Sequence, residues 1–118
     1  MVPGTGDSCV FLRLLPAAAL LVLPVAAARA ADPPLELTIK DHAFAPAELR
    51  VKAGQPVVLH IRNEDATAEE FDSASLKVEK VIPAHGEATV RIRPLKPGTY
   101  KFEGEYHEDT AQGTLVAE

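Results

Sequence analysis

Residues 48–62 have the sequence ELRVKAGQPVVLHIR, and this stretch contains the pattern that decides the fold. Apolar and polar side chains alternate from Leu49 to Val51 and again from Val57 to Ile61, on either side of the turn-forming residues 53–56. Because successive side chains of a β-strand point to opposite faces, the alternation predicts two strands that each bury one face. The polar side chains that alternate with the apolar ones indicate that the other face of each strand is in water.

The same alternation recurs along the rest of the chain. The further alternating segments are residues 35–40, 90–93, 100–103 and 113–115. Turn-forming residues occur at 63–65, 83–86 and 97–98. Short strands at near-regular spacing, separated by such turns, predict an all-β protein with two packed sheets. The pattern is weaker over residues 67–80, which could form a strand edge, a loop or a short helix.

The N-terminal region has the features of a secretory signal peptide. Residues 11–28 are apolar apart from Arg13, and they are followed by the small-residue pattern Ala28-Arg29-Ala30 and by prolines at 33 and 34. We expect cleavage after Ala30, which leaves one domain at residues 31–118. A membrane anchor is the alternative, but the apolar core is short for the ~20 residues that a bilayer requires. We therefore expect an exported domain that does not insert into the membrane.

The composition of residues 31–118 restricts the chemistry of the domain. The whole chain has a net charge of −5, and removal of Asp7, Arg13 and Arg29 with the signal changes it to −6. Such an acidic domain has no basic surface for nucleic acid and is better suited to cations or a basic partner. The single cysteine, Cys9, and the single methionine, Met1, both precede residue 31. The domain therefore has no thiolate or thioether metal ligand.

All four histidines lie in the predicted domain. His107 lies within the acidic segment Glu105–Asp109, and an imidazole surrounded by carboxylates suits a divalent cation. The alternative is an acidic loop tip that only keeps the protein soluble. His42 and His85 lie in turns that flank strands. His60 occupies the polar face of its strand, so we expect it to be an ordinary surface residue. No nucleophile motif or phosphate-binding loop is found.

Three segments, residues 44–54, 57–63 and 97–102, resemble the cupredoxin domain. The resemblance extends over nearly all of residues 35–118. It implies an eight-stranded Greek-key β-sandwich that holds copper at one end. In that family a histidine ligand follows the strand that here ends at Asn63. The Cys, His and usually Met ligands follow the strand that here contains Pro97–Tyr100.

Transferred residue by residue, this ligand pattern is only partly retained. The first histidine position corresponds to Glu69, or to Glu70 if the loop is one residue longer. The cysteine corresponds to Gly104, the second histidine to His107, and the axial ligand to Gln112. A blue-copper site requires the thiolate, so we expect none here. Carboxylate and imidazole ligands favour Cu(II), Fe(II), Fe(III) or Mn(II).

The resemblance also implies further residues at the metal-binding end of the sandwich. It places the turns of His42 and His85 there. We expect additional carboxylate or amide ligands from the adjacent loops and strands. The full set of candidate metal ligands is His107, Glu69, Glu70, Glu105, Asp109, Gln112, His42, His85 and Glu79.

A narrower resemblance concerns residues 67–73, 79–83 and 104–113. These segments are similar to the cysteine-less cupredoxins encoded beside bacterial high-affinity iron permeases. The similarity implies a periplasmic protein that binds copper, iron or both and assists iron uptake. It would either oxidise ferrous iron, as an accessory oxidase, or deliver iron to an inner-membrane iron permease, and delivery is the version we favour. The alternatives are a copper chaperone or storage module, and an interaction domain that binds no metal.

Overall fold

The computed structural model describes residues 16–25 and 33–118. The chain divides after Ala30 into two units, and the description that follows concerns the second. Residues 16–25 form no regular secondary structure, and no helix within the described part of the chain is long and apolar enough to span a membrane. Most of the predicted signal peptide, including its cleavage site, lies outside the described residues.

The second unit is a sandwich of two β-sheets. Its nine strands are β1 (Leu35–Lys40), β2 (Ala43–Ala45), β3 (Glu48–Val51), β4 (Val57–Asn63), β5 (Glu69–Ser73), β6 (Val78–Ile82), β7 (Glu87–Ile92), β8 (Gly98–Gly104) and β9 (Gln112–Ala117). One sheet has the order β2-β1-β4-β7 and the other β3-β9-β8-β5-β6. The β1–β4 and β3–β9 pairs are parallel, and the remaining pairs are antiparallel. The 3-10 turn Glu105–His107 follows β8 and leads into the loop before β9.

The predicted all-β sandwich is confirmed, with nine strands instead of eight. Two short edge strands, β2 and β3, flank Pro46, and the chain passes there from one sheet to the other. Proline has no backbone N–H to donate to a ladder, so it marks the point where pairing with the first sheet ends.

The core consists of the apolar side chains that the alternation assigns to the inner faces. Leu37, Leu59, Ile61 and Leu115 are completely buried. An aromatic cluster of Phe44, Phe71 and Phe102 completes the interior, with ring centroids 5.0–6.0 Å apart. Because strand residues two apart share a face, Glu69 points to the same side of β5 as buried Phe71.

Residues 67–80, which the pattern leaves open, form β5, a turn and β6. The inner face of β5 carries Glu69, Phe71 and Ser73, of which only the middle residue is apolar. The Ser73 hydroxyl donates to the Lys101 carbonyl over 2.6 Å and accepts from the Leu76 N–H over 3.1 Å. The strand is thus buried on a face with two polar residues, and for this reason its alternation is weak.

Loops at one end of the sandwich are joined through the buried side chain of Asn63. Its amide nitrogen donates to the carbonyls of Thr67, Ile82 and Pro83 over 2.9–3.3 Å, and its oxygen accepts from the Asp65 N–H over 2.9 Å. Buried polar groups require such partners, because each unpaired one costs free energy. Asn63 therefore holds the 63–67 segment against the end of β6.

On the outer face of the β1-β4-β7 sheet, His60 lies between two carboxylates, where the alternation predicts a surface residue. Its Nδ1 is 2.8 Å from Glu36 and its Nε2 is 3.2 Å from Glu87. The hydrogen bond to Glu36 is the main cause that raises the pKa of His60 above its usual value. The protonated imidazole can donate to both carboxylates at once.

This arrangement predicts a pH-dependent contribution to stability. Because the folded-state pKa of His60 is raised, the contribution is complete below the unfolded pKa of about 6.5 and is lost as pH rises through the folded pKa. We expect His60→Gln to lower the free energy of unfolding by about 0.3–1 kcal/mol at pH 5.5 and by less at pH 9. Urea unfolding at the two pH values measures this, and an equal loss at both would contradict the assignment.

Candidate metal centre

The centre of the candidate site is the carboxylate of Glu69, which is 1% exposed. One oxygen, Oε2, accepts a hydrogen bond of 2.5 Å from His107 Nδ1. The other, Oε1, accepts from the backbone N–H groups of Glu70 and Tyr106 over 3.1 and 3.0 Å. A buried carboxylate is costly unless it is paired and hydrogen-bonded. Here an imidazole and two backbone amides provide the partners.

Gly104 lies directly against this carboxylate. A Cβ atom at position 104 would be 2.6 Å from Glu69 Cδ, 2.8 Å from Glu69 Oε1 and 2.6 Å from the Cβ of Ala111. Cβ contacts below 3.0 Å essentially do not occur, so a side chain at this position would require Glu69 and Ala111 to move. The carboxylate of Glu69 thus fills the space into which a side chain at position 104 would project. The lack of a side chain at position 104 and the burial of the Glu69 carboxylate therefore depend on each other through packing.

The hydrogen bond to Glu69 determines which nitrogen of His107 is available. An ionised carboxylate can only accept hydrogen bonds, so with Glu69 ionised we assign the proton of this hydrogen bond to His107 Nδ1. A neutral imidazole with its proton on Nδ1 has its lone pair on Nε2. Carboxylates orient metal-binding histidines in this way, by accepting from the ring nitrogen that does not bind the metal.

His42 covers one face of this imidazole. The two rings are stacked, with centroids 3.6 Å apart and planes at 13°. The Nε2 of His42 shares a hydrogen bond of 3.3 Å with the Thr67 hydroxyl. An imidazole binds a metal in its ring plane at about 2.0–2.1 Å. Two nearly parallel planes do not meet near the rings, so the stacked pair cannot bind one ion through both imidazoles.

The turn that carries His42 is held by Asp65. Asp65 Oδ1 accepts from the backbone N–H of Asp41 over 2.8 Å, and Oδ2 accepts from that of His42 over 2.9 Å. The hydrogen bond from His42 is the largest cause that lowers the pKa of the Asp65 carboxyl. The Asp65 carbonyl also accepts from the His85 N–H over 2.9 Å.

Three further carboxylates that the sequence predicts as ligands lie close together. Glu70, Glu79 and Glu105 each offer an oxygen within 4.8 Å of the others. Within residues 16–25 and 33–118, this is the one group of three or more His, Cys, Asp or Glu residues that meets this distance. Repulsion from Glu70, followed by a hydrogen bond with it, raises the pKa of Glu105. Neighbouring carboxylates repel one another when all are ionised, and a bound cation stabilises their ionised form.

The remaining predicted residues are distributed around these two groups. Asp109 lines a shallow depression together with His42, His107 and Glu105. The Gln112 amide donates to the Glu108 carbonyl over 2.8 Å, so it supports the loop before β9. His85 is exposed and is joined to the end of the sandwich through its backbone.

Two residues that contact His42 were not predicted from the sequence. Asp65 and Thr67 follow Asn63 in a segment whose only recognisable signal is that of a turn. Their partners, the Asp41–His42 turn and the His42 ring, lie more than 20 residues away in the chain. Such contacts depend on how the loops pack, which local patterns do not describe.

Comparison with known proteins identifies the family of this sandwich. The model of the cupredoxin-like domain matches residues 13–117. The chain belongs to the cupredoxin-like domain family. Among curated proteins, it is 42% identical over 82 residues to the uncharacterized protein RP394 of Rickettsia prowazekii (strain Madrid E). That match covers 70% of this chain and 66% of the relative, so the chain spans about two thirds of the relative's length.

Solved structures of copper proteins share the fold of this cupredoxin-like chain. Auracyanin A, a blue copper protein of Chloroflexus aurantiacus, is 19% identical with a TM-score of 0.63, covering 73% of this chain and 98% of its own. The metal-binding domain of the Cu(I)-exporting ATPase CopA of Streptococcus pneumoniae D39 is 14% identical with a TM-score of 0.64, covering 72% and 84%. A Cu(I) form of an amicyanin point mutant is 20% identical with a TM-score of 0.60, covering 76% and 87%. These identities establish the fold alone.

The residues present do not fit the blue-copper centre that this fold often holds. Gly104 is the position that the sequence resemblance assigns to the family's cysteine, and the neighbouring space is filled by the Glu69 carboxylate. Residues 31–118 contain no Cys or Met at all. The available donors are imidazole nitrogen and carboxylate oxygen, which are harder ligands than thiolate. The cupredoxin-like sandwich is retained here with a donor set of a different chemical kind.

Proposed function

We propose that this protein is a periplasmic, cupredoxin-like metal-binding protein that assists iron uptake by binding and delivering iron. The observation that carries the proposal is the buried Glu69 carboxylate, which is hydrogen-bonded to His107 Nδ1 and fills the space beside Gly104. The sequence resemblance assigns position 104 to the family's thiolate. A site without thiolate and rich in carboxylate favours hard or borderline cations such as Fe(II) and Fe(III). Export and the role in iron uptake rest on the signal-like N-terminus and on the narrower sequence resemblance.

In this proposal the iron is cargo, and the carboxylate cluster is where it binds. Glu70 follows Glu69 on β5 and points to the opposite, outer face. Glu105 and His107 belong to the same 3-10 turn. Glu79 belongs to β6, which pairs with β5. The Glu70, Glu79 and Glu105 cluster and the His107 imidazole are therefore presented by three segments of chain, namely β5, β6 and the 3-10 turn. Three anionic oxygens in reach of one another provide the charge that Fe(II) or Fe(III) requires.

Delivery without a change of oxidation state requires only these donors, so it is the version that we favour. Oxidation of Fe(II) would additionally require an electron acceptor such as Cu(II) at the imidazole. We propose an inner-membrane iron permease as the recipient. This partner is supported by the narrower sequence resemblance and by the acidic charge of the domain, which suits a basic docking surface.

The test of the proposed site is anaerobic Fe(II) titration of the purified protein and of a variant with Glu70→Gln, Glu79→Gln and Glu105→Gln. We expect the variant to bind Fe(II) at least about tenfold more weakly, because its three ligand charges are removed. A matched control carries Glu36→Gln, Glu48→Gln and Glu118→Gln, all at exposed positions remote from the cluster, and should bind as the wild type does.

Equal Fe(II) affinity of the cluster variant and the wild type would contradict the proposed site. A wild-type protein that binds Cu(I) more tightly than Fe(II) would instead favour the chaperone or storage alternative. Absence of binding by any of Fe(II), Fe(III), Mn(II), Cu(II) and Cu(I) would favour the interaction domain.

A further inference from the structure

The hairpin between β1 and β2 has an unusual turn sequence. Lys40 pairs with Ala43, so Asp41 and His42 alone form the connection. Their φ angles are 52° and 57°, the left-handed conformation that a two-residue hairpin turn requires at both positions. This conformation is usually taken by Asn-Gly, because side chains with a Cβ disfavour it. The turn therefore needs stabilisation from elsewhere.

That stabilisation comes from Asp65. Its two carboxylate oxygens accept separately from the N–H groups of Asp41 and His42. Asp65 is itself fixed, since its N–H donates to Asn63 and its carbonyl accepts from His85. A charged acceptor that pairs with two backbone donors is stronger than two neutral contacts. Asp65 thus sets the direction in which the His42 side chain leaves the backbone. It does so through hydrogen bonds with backbone N–H groups and makes none with the His42 ring.

The consequence concerns which metals the imidazoles can accept. With the turn held, and with Thr67 bonded to its Nε2, His42 stays stacked on His107 and cannot share an ion with it. A pair of imidazoles free to converge would form a strong chelate for Cu(II) and Zn(II), which bind nitrogen ligands more tightly than Fe(II) does. Geometry, more than intrinsic affinity, decides which metal such a site takes.

We propose that Asp65 is a positioning residue that determines metal specificity, because it keeps His42 stacked on His107 and prevents the two imidazoles from chelating Cu(II) or Zn(II). The inference deepens the proposed function, on which its relevance to iron rests. Its structural content, the control of the His42 ring by Asp65, does not depend on iron.

The first measurement is the NMR spectrum of the His107 ring protons in the metal-free full-length protein. Stacking by His42 shifts them upfield, and His42→Ala should remove this shift. We expect Asp65→Ala to remove most of it as well, with the remaining resonances showing an intact fold. Glu64→Gln, an exposed neighbour, should leave it unchanged. A shift that persists in folded Asp65→Ala would overturn the positioning role.

The second measurement is the affinity for Zn(II) alone and for Cu(II) alone. We expect Asp65→Ala to bind each about tenfold more tightly than the wild type, and Asp65→Ala with His42→Ala to lose that gain. Unchanged or weaker binding in a variant whose stack has opened would overturn the specificity role. If Asp65→Ala does not fold, Asp65→Asn with Thr67→Val replaces it, because this pair retains one acceptor oxygen but releases the His42 ring.

The two proposals fail separately. Loss of the carboxylate cluster affects Fe(II) binding and leaves the His107 ring shift in place. Loss of Asp65 affects the ring shift and the Zn(II) and Cu(II) affinities. A wild-type protein that binds no Fe(II) but shows these Asp65 effects would contradict the iron function and support the positioning role of Asp65.

Discussion

Gly104→Cys is expected to destabilise the protein, although it introduces the residue type that the resemblance assigns to this position in the cupredoxin family. The new Cβ would lie 2.6 Å from both Glu69 Cδ and the Cβ of Ala111. Forcing atoms into a packed interior typically costs about 1–3 kcal/mol, and we expect a value near the top of that range. The midpoint of urea unfolding measures the loss, and a midpoint equal to that of the wild type would contradict the packing.

A second substitution at position 69 tests the coupling between these two residues. Because Glu69 supplies two of the three nearest atoms and Ala111 the third, Gly104→Cys should cost less in a Glu69→Ala background than in the wild type, although the contact with Ala111 remains. The pair Glu69→His with Gly104→Cys goes further, since it places the family's His and Cys beside His107. We expect this variant to bind Cu(II) with the intense visible absorption of a thiolate ligand, and the wild type to lack it.

Glu69→Ala is the other substitution with a large expected effect. It removes the acceptor of the His107 Nδ1–H and of the Glu70 and Tyr106 N–H groups. Breaking a buried, hydrogen-bonded pair by removing one member typically costs about 3–5 kcal/mol. Since His107 keeps some exposure to water (its side chain is 25% exposed), we expect about 3 kcal/mol at the lower end of that range.

Glu70→Ala is the matched control for this prediction. The residue is adjacent in sequence, but its side chain is on the outer face of β5 and repels Glu105. Its loss should change the free energy of unfolding by less than about 0.5 kcal/mol, as is usual for surface substitutions. If the two alanine variants were equally stable, the buried role of Glu69 would be wrong. Glu69→Gln adds an NMR signature. The amide oxygen should keep the two backbone N–H bonds that Oε1 accepts, so the amide N–H would face His107 Nδ1. An N–H group cannot accept a hydrogen bond, so the proton on Nδ1 should move to Nε2.

The sequence predicts most of this fold because the inner faces of most strands are simply apolar. The alternation of Val57, Leu59 and Ile61, for example, corresponds to a strand whose inner residues are buried. The local pattern does not predict β5, because Glu69 and Ser73 share its inner face with Phe71. A polar residue can occupy such a position only when specific partners exist, and a local pattern does not reveal partners 28 to 38 residues away in the chain.

The candidate site could be predicted as a set of residues but not as an arrangement. Family resemblance indicates that Glu69 corresponds to a ligand position and Gly104 to a missing cysteine. The structure shows that the carboxylate of one fills the space beside the other and holds His107. The stack of His42 on His107 depends on a strained turn and on Asp65, a residue with no metal-site pattern of its own. These are consequences of packing between loops.

The most direct test of the account is anomalous diffraction from crystals of the protein grown with Fe(III) or Mn(II). The account predicts an ion held by Glu70, Glu79 and Glu105, and a Glu69 carboxylate that remains hydrogen-bonded to His107 Nδ1. Any ion at His107 should be bound through Nε2. An ion between positions 69 and 104 that displaces this hydrogen bond, or the absence of an ordered ion at the carboxylate cluster, would contradict it.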